Sequence, residues 1–179
     1  TESFFILAVL GSLWAAISFG ERVKPGQPAM HTPQAIRSGA VLGLLLGAAV
    51  LLRQLFLLFI PLLFIWMWVV YRRKLKGGLG ISLLVSTAIV AALILPFTLY
   101  NYSRFQRFVL LNTNSGFVFF WANHPIYGTK FVPILPPEMG NYLELIPQEF
   151  RTLNEAALDQ ALLRRGLSFV AEDPGRYLR

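Results

Sequence analysis

Long apolar runs alternate with short polar, basic stretches until about residue 99, and there the pattern stops. The first run, residues 3–19, carries no charge and is just long enough to cross a bilayer as a helix. A polar segment from Gly20 to Ser38 follows, with Arg22, Lys24 and Arg37. The next apolar stretch runs from Gly39 to Tyr71, broken by Arg53, with Pro61 further on. At about 1.5 Å per residue, a single helix of that length would overshoot a hydrocarbon core of ~30 Å. Two readings compete: one long tilted helix that buries Arg53, or a hairpin of two spans, residues 39–52 and 54–70, turning at Arg53. Charge favours the hairpin. Arg72, Arg73, Lys74 and Lys76 follow the stretch and Arg22, Lys24 and Arg37 precede it, so a hairpin places both basic groups on the cytoplasmic side. It also moves Arg53 from mid-membrane to the outer interface, where an arginine is far less costly. The last run, residues 80–97, then leaves the cytoplasm and puts residues 100–179 outside.

Residues 100–179 are a different material. Tyr100–Leu111 mixes aromatics with arginines, as an element lying in the membrane interface would. Gly116–Trp121 is short and aromatic between turn residues, which predicts a strand or extended segment. Val132–Gly140 holds three prolines and reads as loop. Thr152-Leu153-Asn154-Glu155 has the form of a capping box, opening a helix with Leu163, Leu167 and Val170 on one face and Asp173-Pro174-Gly175 at its end. The expected fold is mainly α: a polytopic helical membrane protein with about four transmembrane helices in residues 1–99 and a small mixed extracytoplasmic segment in residues 100–179.

Composition agrees with a lipid environment. Hydrophobic residues make up 55% and charged residues 14%, against about 25% charged in soluble domains, which argues against an ordinary cytosolic enzyme and against a disordered tail. The net charge of +7 over 179 residues suggests nucleic acid only until it is mapped. Residues 1–99 hold eight Lys/Arg and two acids, whereas residues 100–179 hold eight and seven. The excess lies between apolar runs and marks topology, so no nucleic-acid partner is expected. Cysteine is absent and histidine numbers two, so thiolate chemistry is excluded and a histidine metal site has little to build on. No phosphate-binding glycine loop or zinc-protease motif occurs.

Several segments resemble one family. Gly39 to Arg53 is a Gly-rich helix ending in Leu-x-Arg. Pro96-Phe97-Thr98-Leu99-Tyr100-Asn101-Tyr102 is similar to a Pro-Trp-Thr-Ile-Arg-Asn-Tyr block, with Tyr100 in place of its arginine. Phe108-Val109 before Thr113-Asn114-Ser115-Gly116, the turn Trp121-Ala122-Asn123-His124-Pro125, the pair Asn154-Glu155 and the closing Asp173-Pro174-Gly175-Arg176-Tyr177 follow in matching order. Together they resemble the GT-C type, polyprenyl-phosphate-dependent membrane glycosyltransferases, which include protein O-mannosyltransferase-like enzymes and the aminoarabinose transferase of lipid A. The resemblance implies a bacterial inner-membrane enzyme. It would move a sugar from a polyprenyl-phosphate carrier to a protein, lipid or glycan acceptor on the outer face. It also implies that this sequence is an internal fragment whose main catalytic acid lies upstream, with Glu2 the candidate acid within it. The cofactor is unassigned, a divalent metal being the candidate.

On that resemblance Arg53 binds the carrier phosphate, Glu2 binds a metal or the acceptor, and Asn101, Asn114 and Asn123 line the outer site. Plainer roles stand beside each. Arg53 can cap a helix or snorkel to headgroups, Glu2 can be a solvated helix-terminal acid, and the asparagines can serve turns. Gly39, Gly43 and Gly47 read as helix packing, His124 and His31 as turn and loop residues, and Phe117, Phe119, Phe120 and Trp121 as packing aromatics. The rival functions are a transporter or flippase with Arg53 in the substrate path, and a non-enzymatic membrane scaffold.

Overall fold

The computed structural model describes residues 2–21, 30–72, 78–127 and 143–177. They form α-helices and turns, with no strand among the described residues. The chain divides into two compact units, Thr1–Phe97 and Thr98–Arg179.

The first unit is built from α1 (Glu2–Glu21), α2 (Thr32–Leu52), a 3-10 turn (Gln54–Leu58) running into α3 (Phe59–Tyr71), and α4 (Gly78–Phe105), whose last turns pass into the second unit. Four segments are long and apolar enough to cross a membrane: Glu2–Gly20, Thr32–Leu52, Gln54–Tyr71 and Gly78–Phe105. Phe4, Leu7 and Trp14 on α1, Leu62, Ile65 and Val69 on α3, and Leu84 on α4 all point outward, each more than half exposed. In water that surface would be unfavourable by about 25 cal/mol per Å²; in lipid it is the natural coat. The chain is an integral membrane protein.

Contacts fix the helix directions. Gly11 of α1 faces Leu45 of α2, and Glu2 at the start of α1 reaches Arg53 at the end of α2, so α1 and α2 are antiparallel. The Phe5 and Phe56 rings meet at 5.8 Å near one end, and Phe19 and Tyr71 meet at 6.2 Å near the other, so α1 and α3 run together. The chain therefore doubles back at Arg53, as the hairpin reading expects. Residues Gly39, Gly43 and Gly47 of α2 face Ser82, Ser86 and Leu93 of α4 in ascending order, which makes these two helices parallel. The fully buried Ser82 and Ser86 donate their hydroxyl hydrogens to the carbonyls of Ala35 and Gly39, both at 2.8 Å. Glycine lets the two backbones approach closely enough for these bonds, and serine then finds an acceptor where lipid offers none.

Two helix ends differ from the sequence reading. The first arm of the hairpin starts at Thr32 rather than Gly39, with His31 extended at the cap position and a proline in the first turn. Polar residues 32–38 are compatible with a helix, because Pro33 needs no N–H partner there; their polarity argues only against deep burial in lipid. The added length gives α2 21 residues, about 31 Å, and so a full span. The last span runs on through Pro96 to Phe105 rather than stopping at residue 97. Thus Tyr100–Leu111 is not one separate element: its first half continues α4, and the chain then turns at Gln106, whose φ is +51°. Arg22, Lys24, Arg73, Lys74 and Lys76 lie outside the described residues, as does the proline-rich stretch 132–140.

In the second unit, α5 (Ser115–Asn123) and α6 (Glu155–Glu172) pack together. Phe120, Trp121, Ile146, Leu162 and Phe169 form its core. Gly116 lies against the backbone of Asp159, and Gly166 against Phe119 and Phe120, so α5 and α6 run in the same direction. The aromatic run expected to be a strand is helical. Its first amides are satisfied from a distance: the Asp159 carboxylate accepts from Gly116 N–H at 2.8 Å and from Phe117 N–H at 3.1 Å. That ligation supplies the N-terminal cap the local sequence lacks, since Asn114 makes no side-chain cap bond. The expected capping box is also corrected. Asn154, not Thr152, caps α6, accepting from Ala157 N–H at 2.9 Å. The buried face of α6 is Leu162, Gly166 and Phe169, while Leu167 is 52% exposed. Asp173 ends the helix, and Pro174–Tyr177 follows as a 3-10 turn.

Candidate functional site

Arg53 is where the second and third spans part. Its backbone is extended, φ −144° and ψ 105°, between the end of α2 and the 3-10 turn. Its N–H still donates to Ala49 at 2.9 Å, and its own carbonyl accepts from Phe56 N–H at 2.9 Å. The residue thus closes one helix and opens the next, which frees its side chain to lean toward α1. There the guanidinium Nη2 donates to the Glu2 carboxylate and lies over the Phe5 ring, 5.5 Å from its centre. Phe5 is held edge-on by Phe56, which stacks against Phe59 at 5.1 Å. An aromatic floor of this kind fixes the plane of the guanidinium while the cation–π attraction holds it.

The Arg53 and Glu2 side chains remain 53% and 66% exposed. An ion pair this open contributes little to stability, and neither partner is sequestered from a ligand. Leu55 and Leu58, on the turn just after Arg53, are 80% and 73% exposed. A fork of N–H donors therefore sits beside bare apolar side chains at one end of three membrane-spanning segments. That combination suits an amphiphile with an anionic head, since guanidinium matches phosphate in bidentate geometry.

The asparagines do other work. Asn101 donates from Nδ2 to the carbonyls of Val109 and Leu111, at 3.3 and 3.0 Å, beside a Thr98 hydroxyl that donates to Leu110 at 2.7 Å. These bonds tie the chain after the Gln106 turn back onto α4. Asn123 donates to Phe119 at 2.7 Å, and its carbonyl accepts from the Arg176 guanidinium. Asn114 is exposed at the start of α5. The structure thus brings Glu2 and Arg53 together; Asn101 and Asn123 bond to backbone carbonyls of the second unit. His31 is exposed at the cap of α2. Among the described residues no group of three potential metal ligands is assembled.

Sequence reasoning missed Asp159 and Thr98. Both act on partners distant along the chain or across a turn, and no local motif announces such bonds. It also underrated His124. This ring packs between Phe120 and Phe169, with both ring centres at 5.2 Å, and accepts at Nδ1 from the Ile126 N–H at 3.3 Å. Burial, and then the positive charges of Arg165 and Arg176, hold its pKa below the usual 6.5. The unfolded chain therefore takes up a proton more readily than the folded one as pH falls past 6.5, so acid removes stability and alkali does not. Amide exchange in α5, corrected for intrinsic rates, is expected to quicken below pH 6.5 in the native chain and to lose that acid dependence in His124→Gln.

No family model, curated protein or solved structure matches the chain, so the site stands on the geometry of Arg53, Glu2 and Phe5 alone.

Proposed function

We propose that the chain is part of an integral-membrane glycosyltransferase that moves a sugar from a polyprenyl-phosphate carrier to an acceptor on the outer face of a bacterial inner membrane. The observation that carries this reading is the half-exposed Arg53 guanidinium, seated on Phe5 and pointed by Glu2, next to the exposed Leu55 and Leu58. Sidedness follows from charge. In sequence, Arg22 and Lys24 fall between α1 and α2 and Arg73, Lys74 and Lys76 between α3 and α4, and the positive-inside rule assigns those connections to the cytoplasm. Glu2 and Arg53 then lie at the other, outer end.

In this reading the carrier's phosphate meets Arg53 and its prenyl chain lies along Leu55 and Leu58 in lipid. Transfer breaks the bond between the sugar's anomeric carbon and the phosphate oxygen and forms one to the acceptor oxygen. Negative charge grows on the departing phosphate, and Arg53 is placed to offset it. The acceptor's proton must pass to a carboxylate, for which Glu2 is the nearest acid to Arg53. Among the described residues Glu2 belongs to no group of three potential ligands, so it does not by itself fit a resident divalent metal.

A transporter would want Arg53 in a cavity at mid-membrane; here it lies at the end of α2. The test is sugar transfer by the full-length protein from a polyprenyl-phosphate donor. Arg53→Ala is expected to lower turnover by about 10²-fold or more, with Arg53→Lys between. Equal transfer by Arg53→Ala removes the role given to this residue. Absence of transfer by the native protein from every lipid-linked sugar tried returns the transporter and scaffold readings.

A further inference from the structure

Helix α4 is longer than its task as a span requires. Its 28 residues reach about 42 Å at about 1.5 Å per residue, against a hydrocarbon core of ~30 Å. No charge interrupts it from Gly78 to Ser103, and the first to appear is Arg104. Residues 79–99 suffice to fill the hydrocarbon, which leaves the closing turns, from Tyr100 to Phe105, beyond the length a span needs.

What lies there is specific in kind. Tyr100, Tyr102 and Phe108 are 60%, 55% and 70% exposed, and Arg104 and Arg107 are exposed among them. Between Phe97 and Asn114 there is no acidic residue. Arg104 lies near the Tyr100 hydroxyl at 3.4 Å and the Phe105 ring at 5.8 Å. Arg107 donates to the side-chain oxygen of Gln160 at 2.7 Å. These partners are neutral, and among the described residues neither arginine forms an ion pair. The turn that carries them is not loose. Thr98 and Asn101 bind the carbonyls of residues 109–111, so the two guanidinium groups are presented from a fixed fold.

We propose that Tyr100, Tyr102, Arg104, Arg107 and Phe108 form a collar that binds the phosphate headgroups of anionic lipid in the leaflet from which α4 emerges. The tyrosines and Phe108 settle at the boundary between acyl chains and headgroups, where amphipathic rings are favoured. Arg104 and Arg107, which pair with no carboxylate among the described residues, take the lipid phosphates. The occupant is the bilayer itself, because Tyr100, Tyr102 and Arg104 lie on the helix that forms the span and Arg107 and Phe108 on the turn that directly follows it.

The chain has no cysteine, so Ser103→Cys, at an exposed position inside the collar, takes a single fluorophore in the full-length protein. The labelled protein is placed in phosphatidylcholine nanodiscs holding a minor fraction of brominated phosphatidylglycerol or, in a parallel set, of brominated phosphatidylcholine. Quenching is expected in both sets, and the anionic lipid is preferred about fivefold or more, as two arginines near an anionic surface imply. Arg104→Gln with Arg107→Gln is expected to abolish the preference, and the matching Lys pair to keep it. Equal quenching by the two lipids overturns the proposal, as does an unchanged preference in the Gln pair. Absence of quenching by either lipid shows the collar away from the bilayer. Loss of the preference in the Lys pair as well assigns the effect to the Gln160 contact and equally overturns it.

Discussion

Gly39→Leu is expected to destabilise the membrane-embedded unit by about 3 kcal/mol or more, a large share of the roughly 5–15 kcal/mol that holds an ordinary domain folded. A Cβ at Gly39 would stand 2.5 Å from the Ser82 carbonyl oxygen and 2.9 Å from its Cα. Both are backbone atoms of α4, so no rotamer change relieves the overlap and the helices must separate. Separation also breaks the Ser82–Ala35 and Ser86–Gly39 bonds, each worth about 0.6 kcal/mol in a membrane interior. Gly80→Ala is the control, because nothing lies within 4 Å of that position. The fraction of SDS needed to unfold the purified full-length protein should fall sharply for Gly39→Leu and stay level for Gly80→Ala. If the two variants unfold alike, the close approach of α2 to α4 is wrong.

Gly116→Val is expected to detach α5 from α6, at a comparable ~3 kcal/mol. The new Cβ would overlap the Asp159 backbone carbonyl oxygen and stand 2.7 Å from its carbon. The displacement would withdraw the Asp159 carboxylate from the Gly116 and Phe117 amides and from the Ser115 hydroxyl, 3.3 Å away. Two partly buried amides would then lack acceptors, and hydrogen bonds to charged groups contribute about 1.5–3 kcal/mol each. Phe120, Trp121, Leu162 and Phe169 would lose their shared core. Limited trypsin digestion reads this directly: cleavage at Arg164 and Arg165 in α6 should speed markedly while the apolar spans stay intact. Cleavage at the native rate would show that the pair does not depend on this contact.

The four apolar runs were legible because a bilayer accepts only helices of a set length, and charge then told the hairpin from the single span. Helix ends were harder. Residues 32–38 look like loop because polarity and non-helicity coincide in most sequences, and Pro96 looks like an end because prolines usually are. The six-residue aromatic run of α5 fits either periodicity, and what decides it is Asp159, 43 positions away. The buried face of α6 is turned by one residue from the expected one, from Leu163, Leu167 and Val170 to Leu162, Gly166 and Phe169, a rotation of about 100°. An apolar count gives glycine no weight, yet Gly166 marks the line where Phe119 and Phe120 press closest. Arg53 stood out in the sequence as a charge alone in lipid. Its meeting with Glu2 required the antiparallel pairing of α1 and α2, which no stretch of sequence announces.

The shared direction of α5 and α6 has an electrical consequence. Two parallel helices set like ends of their macrodipoles side by side, an arrangement that opposes itself. Here Glu155 and Asp159 supply negative charge at the two N-terminal ends, where they also bind the Thr113 hydroxyl and the first amides of α5. At the far end the Arg176 guanidinium meets the last carbonyl of α5, that of Asn123. The pair is thus held partly by formal charges, of which Glu155 is exposed and Asp159 partly so, and dissolved ions weaken charges that water reaches. The seam of glycine and serine between α2 and α4 contains no charge for ions to weaken. One chain therefore joins a helix pair whose cohesion follows ionic strength, α5 with α6, to a helix seam that is indifferent to it, α2 with α4.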